Sequence, residues 1–432
     1  MARVLFHIDL NAFFTSSEEL RHPEYEGKPL AVGSTSGRGV IATANYKARE
    51  YGVHSAMPTS QARALCDELI VIPGDHDYYR KLSSQFFAYL RQYSGMLEPL
   101  SIDECFLDVT DIIKNYPRPL DLAFEIQQGL YHTLKLRCSI GVGPTRFLAK
   151  MASDMRKPMG ITVLRKSEIP AKLYPLPISD FYGIGKKTLP ILEKEGFKTI
   201  GDLADPERQS DVARIFGNQY LNIRQKLNGT SSNRLSFSST RKSISHSRTF
   251  ETDLVTLDEV LNKSAELCKQ ITASMQKKHI QGKTISVTTR DGSFHNKVSS
   301  VTLPEYTNDY ARIYGQVESL LIDKFEPVGY RLIGISIGSL ENEEQIRIQP
   351  SIFDSQFRQD PTSRTISLLN DTLKGAGLMK ASELLNNPKA RKKKPAEEET
   401  EQETESDTGA AAAGQPESAG QQEESEMEQT HE

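Results

Sequence analysis

From Pro395 onward the chain carries thirteen acidic residues, no lysine or arginine, and Met427 as its one large apolar side chain. Such a segment has too little apolar surface to offset the entropy lost on ordering, so residues 387–432, KARKKK and then this acidic run, are expected to be a disordered tail. Folding is left to the rest of the chain. The whole chain has a formal charge of −4, so removing the thirteen acids leaves residues 1–394 at +9. A basic body with an acidic tail is the asymmetry expected of a nucleic-acid-binding protein, although many solvated surfaces are also basic. The chain has 432 residues, enough for roughly three domains. No run approaches the ~20 apolar residues of a membrane span. The start, MARVLFHIDLNAFF, lacks the apolar core and cleavage site of a signal peptide. Cys66, Cys105, Cys138 and Cys268 are scattered without CxxC spacing. That favours reduced thiols in the cytoplasm over a disulfide or zinc framework.

The apolar run VLFHIDL (4–10) reads as a buried strand ending in Asp9, with a helix over 11–20. Short strands are expected in 28–43, a helix in 44–52 closed by Gly52, and another helix after Pro58. Residues 77–94 have helical period, 97–109 read as two strands around a tight turn, and 121–136 as a helix. RCSIGVG (137–143) is a strand and 144–158 a helix stopped by Pro158. A second region, 178–205, reads as helix, GIG hairpin, helix ending at Gly196, and a new helix start at Thr199. The Ser-rich stretch 229–245 reads as a linker. Helical segments (257–278, 306–324) then alternate with β-like runs in a small α+β domain.

Four constellations carry chemistry. Asp9 ends a strand, and Asp103 and Glu104 lie in the SIDECF turn. Converging carboxylates repel unless a cation joins them, and hard oxygens at strand ends suit Mg²⁺ completed by substrate phosphates. Alone, each acid reads more readily as an ordinary turn or cap residue. In ATANYKAR, Thr43, Tyr46 and Arg49 recur at i, i+3, i+6, a set suited to a triphosphate or to a solvated helix face. Lys157 at a helix end either reaches phosphates or compensates the helix dipole. In YGIGKK, Gly183 and Gly185 allow a tight turn whose N–H groups, with Lys186, suit a DNA backbone, or a plain helix connector.

Taken together, HIDLNAFFTSSEE, VIATANYKAREYGV, LSIDECFLDVT, SIGVGPTRFLAKMASDMRKPMG and YGIGKKT, in this order, resemble the Y-family translesion DNA polymerases of the bacterial DNA polymerase IV type. The resemblance spans about residues 1–345. It implies a multidomain α+β right-hand fold: palm (1–10 and 75–165), fingers (11–74), a helical helix-hairpin-helix thumb (166–230), a linker (231–244) and an α+β little finger (245–345). It implies a low-fidelity DNA-directed DNA polymerase that extends primers past damaged bases without proofreading. By the resemblance, Asp9, Asp103, Glu104 and the Leu10 carbonyl hold two Mg²⁺ ions, and Thr43, Tyr46, Arg49 and Lys157 bind the incoming triphosphate. Phe14 is the steric gate against a ribose 2′-OH, with Phe13 as the alternative. Ala42 and Ala56 roof the nascent base pair. Asn11 stands where many members have Asp, and Phe181–Tyr182 precede the GIG turn where members differ.

After the last domain, in the stretch 346–386, QPSIF (349–353) resembles the short peptides that dock bacterial polymerases on the sliding clamp, through Gln349, Ile352 and Phe353. The expected partners are primer–template DNA, deoxynucleoside triphosphates and that clamp, for a cytoplasmic monomer. A DNA-binding scaffold without catalysis is the rival class. A repair nuclease or glycosylase leaves ATANYKAR without a role.

Overall fold

In a computed structural model that describes residues 3–237 and 240–346, strand β1 (Leu5–Leu10) lies at the centre of a five-stranded sheet. Helix α1 (Phe13–Arg21) follows it, and next come β2 (Leu30–Gly33), β3 (Ile41–Ala44), α2 (Tyr46–Glu50), α3 (Thr59–Leu65) and β4 (Ile70–Ile72). The chain returns through α4 (His76–Arg91), β5 (Leu97–Pro99), β6 (Glu104–Asp108), α5 (Pro119–Leu134), β7 (Cys138–Gly143), α6 (Arg146–Asp154) and β8 (Ile161–Val163). The sheet order is β5-β6-β1-β7-β8, with β1 antiparallel to both neighbours and β8 parallel to β7.

The two-residue period of β1 sorts its side chains between two layers. Phe6, Ile8 and Leu10 join Cys105, Leu107, Ile140 and Val142 in a core closed by Tyr79 and Phe86 of α4 and Leu122 and Ile126 of α5. The alternate residues face α6: Leu5 packs on Ala149, His7 bonds Ser153 and Asp9 pairs with Lys150. Helix α6 lies close because β7 offers Gly141 there; a Cβ at Gly141 would stand 2.0 Å from the Ala149 carbonyl oxygen. The opposite side of α6 supplies Phe147, Leu148 and Met151 to the core of residues 166–230.

Strands β3-β2-β4 form a second sheet, on which Ala44, Ala48, Val53, Met57 and Ala62 pack. Strand β4 has three residues, too few for a legible period, and does not appear in the sequence expectation.

In 166–230 the helices are shorter than expected. Residues Ile178–Asp180 make one 3₁₀ turn, since Pro177 precedes them and Gly183 follows at φ +111°. Next are α7 (Leu189–Lys194), which ends before Gly196 at φ +76°, then α8 (Gln209–Phe216) and α9 (Tyr220–Leu227). After Thr199 the chain makes only a 3₁₀ turn at Gly201–Leu203.

The Ser-rich stretch lies against the first sheet. Leu235 packs on Leu5, Phe106 and Ala149, and the Ser236 N–H donates to Glu98 at 2.9 Å. Strand β9 (Ser243–Leu254) starts inside the stretch expected as linker. It was hidden because its apolar residues Ile244, Phe250 and Leu254 are widely spaced among polar ones. Then follow α10 (Leu257–Gln276), β10 (Ile280–Asp291), β11 (Asn296–Thr307), α11 (Tyr310–Lys324), β12 (Tyr330–Gly338) and the short β13 (Glu341–Asn342). The sheet order β11-β10-β12-β9 is antiparallel throughout, and α10 and α11 cover one face through Val260, Ile271, Ile313 and Val317. Among the described residues no helix is long and apolar enough to cross a membrane. Gln349, Ile352 and Phe353 lie outside the described residues, as do 361–386 and the acidic tail.

Candidate active site

Register brings the first two acids together. Asp9 on β1 is the antiparallel partner of Glu104 on β6. Asp103 precedes Glu104, and its carbonyl accepts from the Leu10 N–H at 2.9 Å, so the turn is pinned to the end of β1. The Ser101 hydroxyl donates to the Asp103 carboxylate.

Two ammonium groups meet at Asp9. Lys150 Nζ lies 2.7 Å from Glu104 and 3.2 Å from Asp9. Lys157 Nζ lies 2.9 Å from Asp9 and 2.7 Å from Asp154. His7, fully buried, has Nδ1 2.8 Å from Ser153 Oγ and Nε2 3.3 Å from Glu104.

His7 and Lys150 hold the Glu104 carboxyl down at about 2. Burial raises Asp103, and the nearby charges of Asp9 and Glu104 add to the rise. Burial disfavours both ammonium groups, but the surrounding carboxylates outweigh it and raise Lys150 and Lys157. Ligand atoms of His7, Asp9 and Glu104 lie within 4.8 Å of one another, an arrangement able to hold a metal ion. The donor set fits a divalent cation. Carboxylate oxygens converge, one acid is under repulsion, and positive charge is already drawn to them.

Thermal unfolding should report this. Asp103 is raised in the fold, so its share of stability is lost as pH rises through its folded pKa. Glu104 has the opposite sign: its share is present above about pH 4.3 and fades as pH falls toward 2. Excess Mg²⁺ at neutral pH should therefore raise the unfolding midpoint by about 2–5 °C, and EDTA should reverse it. The increment should vanish in an Asp103→Ala, Glu104→Ala chain; an equal increment there would place the cation elsewhere.

Thr43 lies on β3, and Tyr46 and Arg49 on α2, whose N-cap Asn45 accepts from the Ala48 N–H. Arg49 lies over the Tyr46 ring at 4.8 Å, and its Nε donates to the Ala44 carbonyl at 2.9 Å. Burial raises the Tyr46 hydroxyl pKa, and that hydroxyl also feels the charges of Arg49, Lys157 and Asp9. The α2 face and the acidic cluster therefore share one electrostatic environment. Ala42 and Ala56 flank Ile41, whose carbonyl accepts from the Ala56 N–H at 2.7 Å.

The two phenylalanines separate clearly. Phe13 is 2% exposed and part of the sheet core. Phe14 stacks on Tyr79 at 4.5 Å with an interplanar angle of 14°, edge-on to His76, and Tyr79 is fixed by a 2.6 Å bond from its hydroxyl to Glu18. Gly183, Gly185 and Lys186 belong to the 166–230 region. There the Ile184 N–H turns inward to Phe181, and Lys226 lies among the Phe147, Phe181 and Tyr182 rings.

Beside this constellation, Lys150, His7 and Asn45 are absent from the sequence expectation, and Asn11 enters it only as a departure from the motif. Lys150 sits in a helix buried at nearly every position, where a charge needs a partner, and that is a readable signal. His7 alternates onto the Asp9 face of β1. Asn11 is buried, bonding Ser139 Oγ at 2.9 Å and accepting from the Met159 N–H at 2.8 Å, so it ties β1 to the turn after Lys157. Asn45 carries a readable signal, an Asn at the start of a helix. Its bonds to Glu19 and Lys28 carry none.

Three family descriptions match: the impB/mucB/samB family over residues 8–154, the IMS family HHH motif over 166–196, and the impB/mucB/samB family C-terminal domain over 241–350. A DNA polymerase IV of Ureaplasma parvum serovar 3 is 34% identical over 354 residues, covering 82% of this chain and 98% of the relative. One of Listeria monocytogenes serovar 1/2a is 37% identical over 342 residues (79% and 96%), and DNA polymerase IV 1 of Bacillus subtilis is 35% identical over 378 (86% and 90%). Among solved structures, a Y-family DNA polymerase chimera, Dbh-Dpo4(243-245)-Dbh, aligns with TM-score 0.71 at 25% identity over 78% of this chain and 99% of that one. An insertion ternary complex of Dbh DNA polymerase aligns with TM-score 0.56 at 25% identity over 78% and 98%.

Proposed function

The chain belongs to the Y-family DNA polymerases of the impB/mucB/samB family, and from that membership we propose how its residues carry out template-directed DNA synthesis past damaged bases. The observation that carries the reading is the pairing of Asp9 with Glu104 across β1 and β6, with Asp103 pinned to the end of β1 beside them and two lysines within reach.

Asp9, Asp103 and Glu104, with the Leu10 carbonyl, hold two Mg²⁺ ions. When bound, these supply the charge that eases proton loss from a primer 3′-hydroxyl and stabilises departing pyrophosphate. The chain's own groups position the substrate. Arg49 offers a bidentate contact to triphosphate oxygens, Lys157 an ammonium, and Thr43 and Tyr46 hydroxyl donors. Phe14, held by Tyr79, occupies the volume a ribose 2′-hydroxyl needs. Ala42 and Ala56 are small, so the roof leaves space for a damaged template base. Gly183, Gly185 and Lys186 hold the DNA backbone without reading sequence.

The palm, fingers and thumb follow the ranges given by the resemblance, and the little finger takes in the whole of β9, from Ser243. The protein works in the cytoplasm, as a monomer on primer–template DNA. Single-nucleotide extension opposite an intact base and opposite an abasic site tests the reading: addition in both cases is expected, and failure on intact template would sink it.

Docking on the sliding clamp rests on Gln349, Ile352 and Phe353. Two large apolar side chains contribute roughly 3–6 kcal/mol gross on burial, and ordering the peptide offsets much of it, which leaves a weak site. The double change Ile352→Ala and Phe353→Ala should leave unassisted extension unchanged and abolish the processivity gained from a loaded clamp. Full clamp stimulation in that variant would make the peptide a spacer.

A further inference from the structure

The hairpin between β10 and β11 presents an exposed aromatic ring that the proposed chemistry does not use. Phe294 is 60% exposed and sits at φ +67°, a conformation costly for a residue with a bulky side chain. The turn is nonetheless well built. The Asp291 carbonyl accepts from the Phe294 N–H at 3.1 Å, and the Asp291 carboxylate accepts from the His295 N–H at 2.9 Å. Arg331 of β12 lies against the ring, its guanidinium carbon 4.6 Å from the centroid. Arg290 is fixed nearby by a 2.7 Å bond to Asn296.

The hairpin also lies close to a β9 carboxylate, Asp253, that holds the turn before the roof residues. Arg38 donates to the Asp253 carboxylate at 2.6 Å and to the Phe250 carbonyl at 3.0 Å. The other oxygen of Asp253 would stand 3.1 Å from a Cβ at Gly292, two residues before Phe294. Arg38 is four residues from Ala42.

We propose that Phe294, supported by Arg331, is a stacking platform for an unpaired base of the template strand beyond the nascent pair. The inference rests on the polymerase reading, in which template not yet copied must leave the roof as a single strand. A π-face beside guanidinium groups is the chemistry that holds single-stranded nucleic acid irrespective of sequence. Stacking on a base suits the ring better than an apolar protein partner does, because a guanidinium, Arg331, lies against it and charged residues, Arg290 and Asp291, share its turn.

The test uses the full chain with Phe294→Ala, Phe294→Leu and Phe294→Trp. Primer–templates carry either no unpaired nucleotide beyond the templating base or five, with 2-aminopurine at the first unpaired position. Wild type and Phe294→Trp should bind the overhang substrate more tightly and quench the 2-aminopurine. Phe294→Ala and Phe294→Leu should lose about fivefold of the overhang gain, the low end of what one stacked base supplies, and relieve the quenching. Extension on the substrate without overhang should be unchanged in all four proteins. An overhang gain and quenching unaltered in Phe294→Ala would overturn the proposal. Loss of binding to both substrates alike would also overturn it. Absence of extension by the wild type would instead strike the polymerase reading.

Discussion

Asp103→Ala is expected to lower nucleotide addition by roughly 10³-fold or more while leaving primer–template affinity within about twofold, because charge stabilisation by bound metal amounts to several kcal/mol of barrier and DNA affinity comes mainly from lysine and arginine contacts to phosphates. A second consequence distinguishes a strained ligand from an ordinary surface acid. The Asp103 carboxyl is raised by burial and by Asp9 and Glu104, so its removal relieves repulsion when no cation is present. Without Mg²⁺ the variant should melt slightly above the parent, and with Mg²⁺ slightly below it. Rapid-quench single-turnover extension, a DNA-binding isotherm and two melting curves together check this. Extension retained in Asp103→Ala would remove Asp103 from the catalytic set.

Phe14→Ala is expected to raise ribonucleotide incorporation relative to deoxyribonucleotide by roughly 10- to 100-fold, the range set by steric overlap costs of about 1–3 kcal/mol. The ring is held flat against Tyr79, itself bonded to Glu18, so it cannot easily swing from a 2′-hydroxyl. Phe13→Ala is the contrast. That ring fills the sheet core, and its loss should cost about 3–5 kcal/mol of stability without changing sugar selection. Paired kinetics with matched ribo- and deoxyribonucleotides decide between them. Unchanged discrimination in Phe14→Ala would leave Phe14 as packing alone.

Much of this was legible from local pattern. VLFHIDL has the length and apolar character of a buried strand, and its two-residue period already separates Phe6, Ile8 and Leu10 from Leu5, His7 and Asp9. The ordered motifs singled out the acids and the α2 residues. What stayed hidden depends on contacts between residues far apart in sequence. Lys150 meets Asp9 across 141 positions and Arg38 meets Asp253 across 215, and neither pairing leaves a trace in a local window. Asn11 is legible as a departure from the motif, but its bond to Met159 emerges only once β1 and the end of α6 are side by side. Strand β9 escaped because its sheet is covered on one face only, so most of its side chains are polar. The helices near the GIG turn were read too long because Pro177 and Gly183 confine the intervening segment to a single turn.

The central claim is that the Asp9–Asp103–Glu104 cluster makes this chain a metal-dependent, template-directed polymerase. The most direct measurement offers the purified chain a primer–template with one deoxynucleotide at a time, first with EDTA and then after excess Mg²⁺ is restored. The account predicts no addition with EDTA and, once Mg²⁺ returns, addition led by the nucleotide complementary to the template. A chain that binds the same DNA yet extends no primer under Mg²⁺ would contradict it and leave the fold as a DNA-binding scaffold.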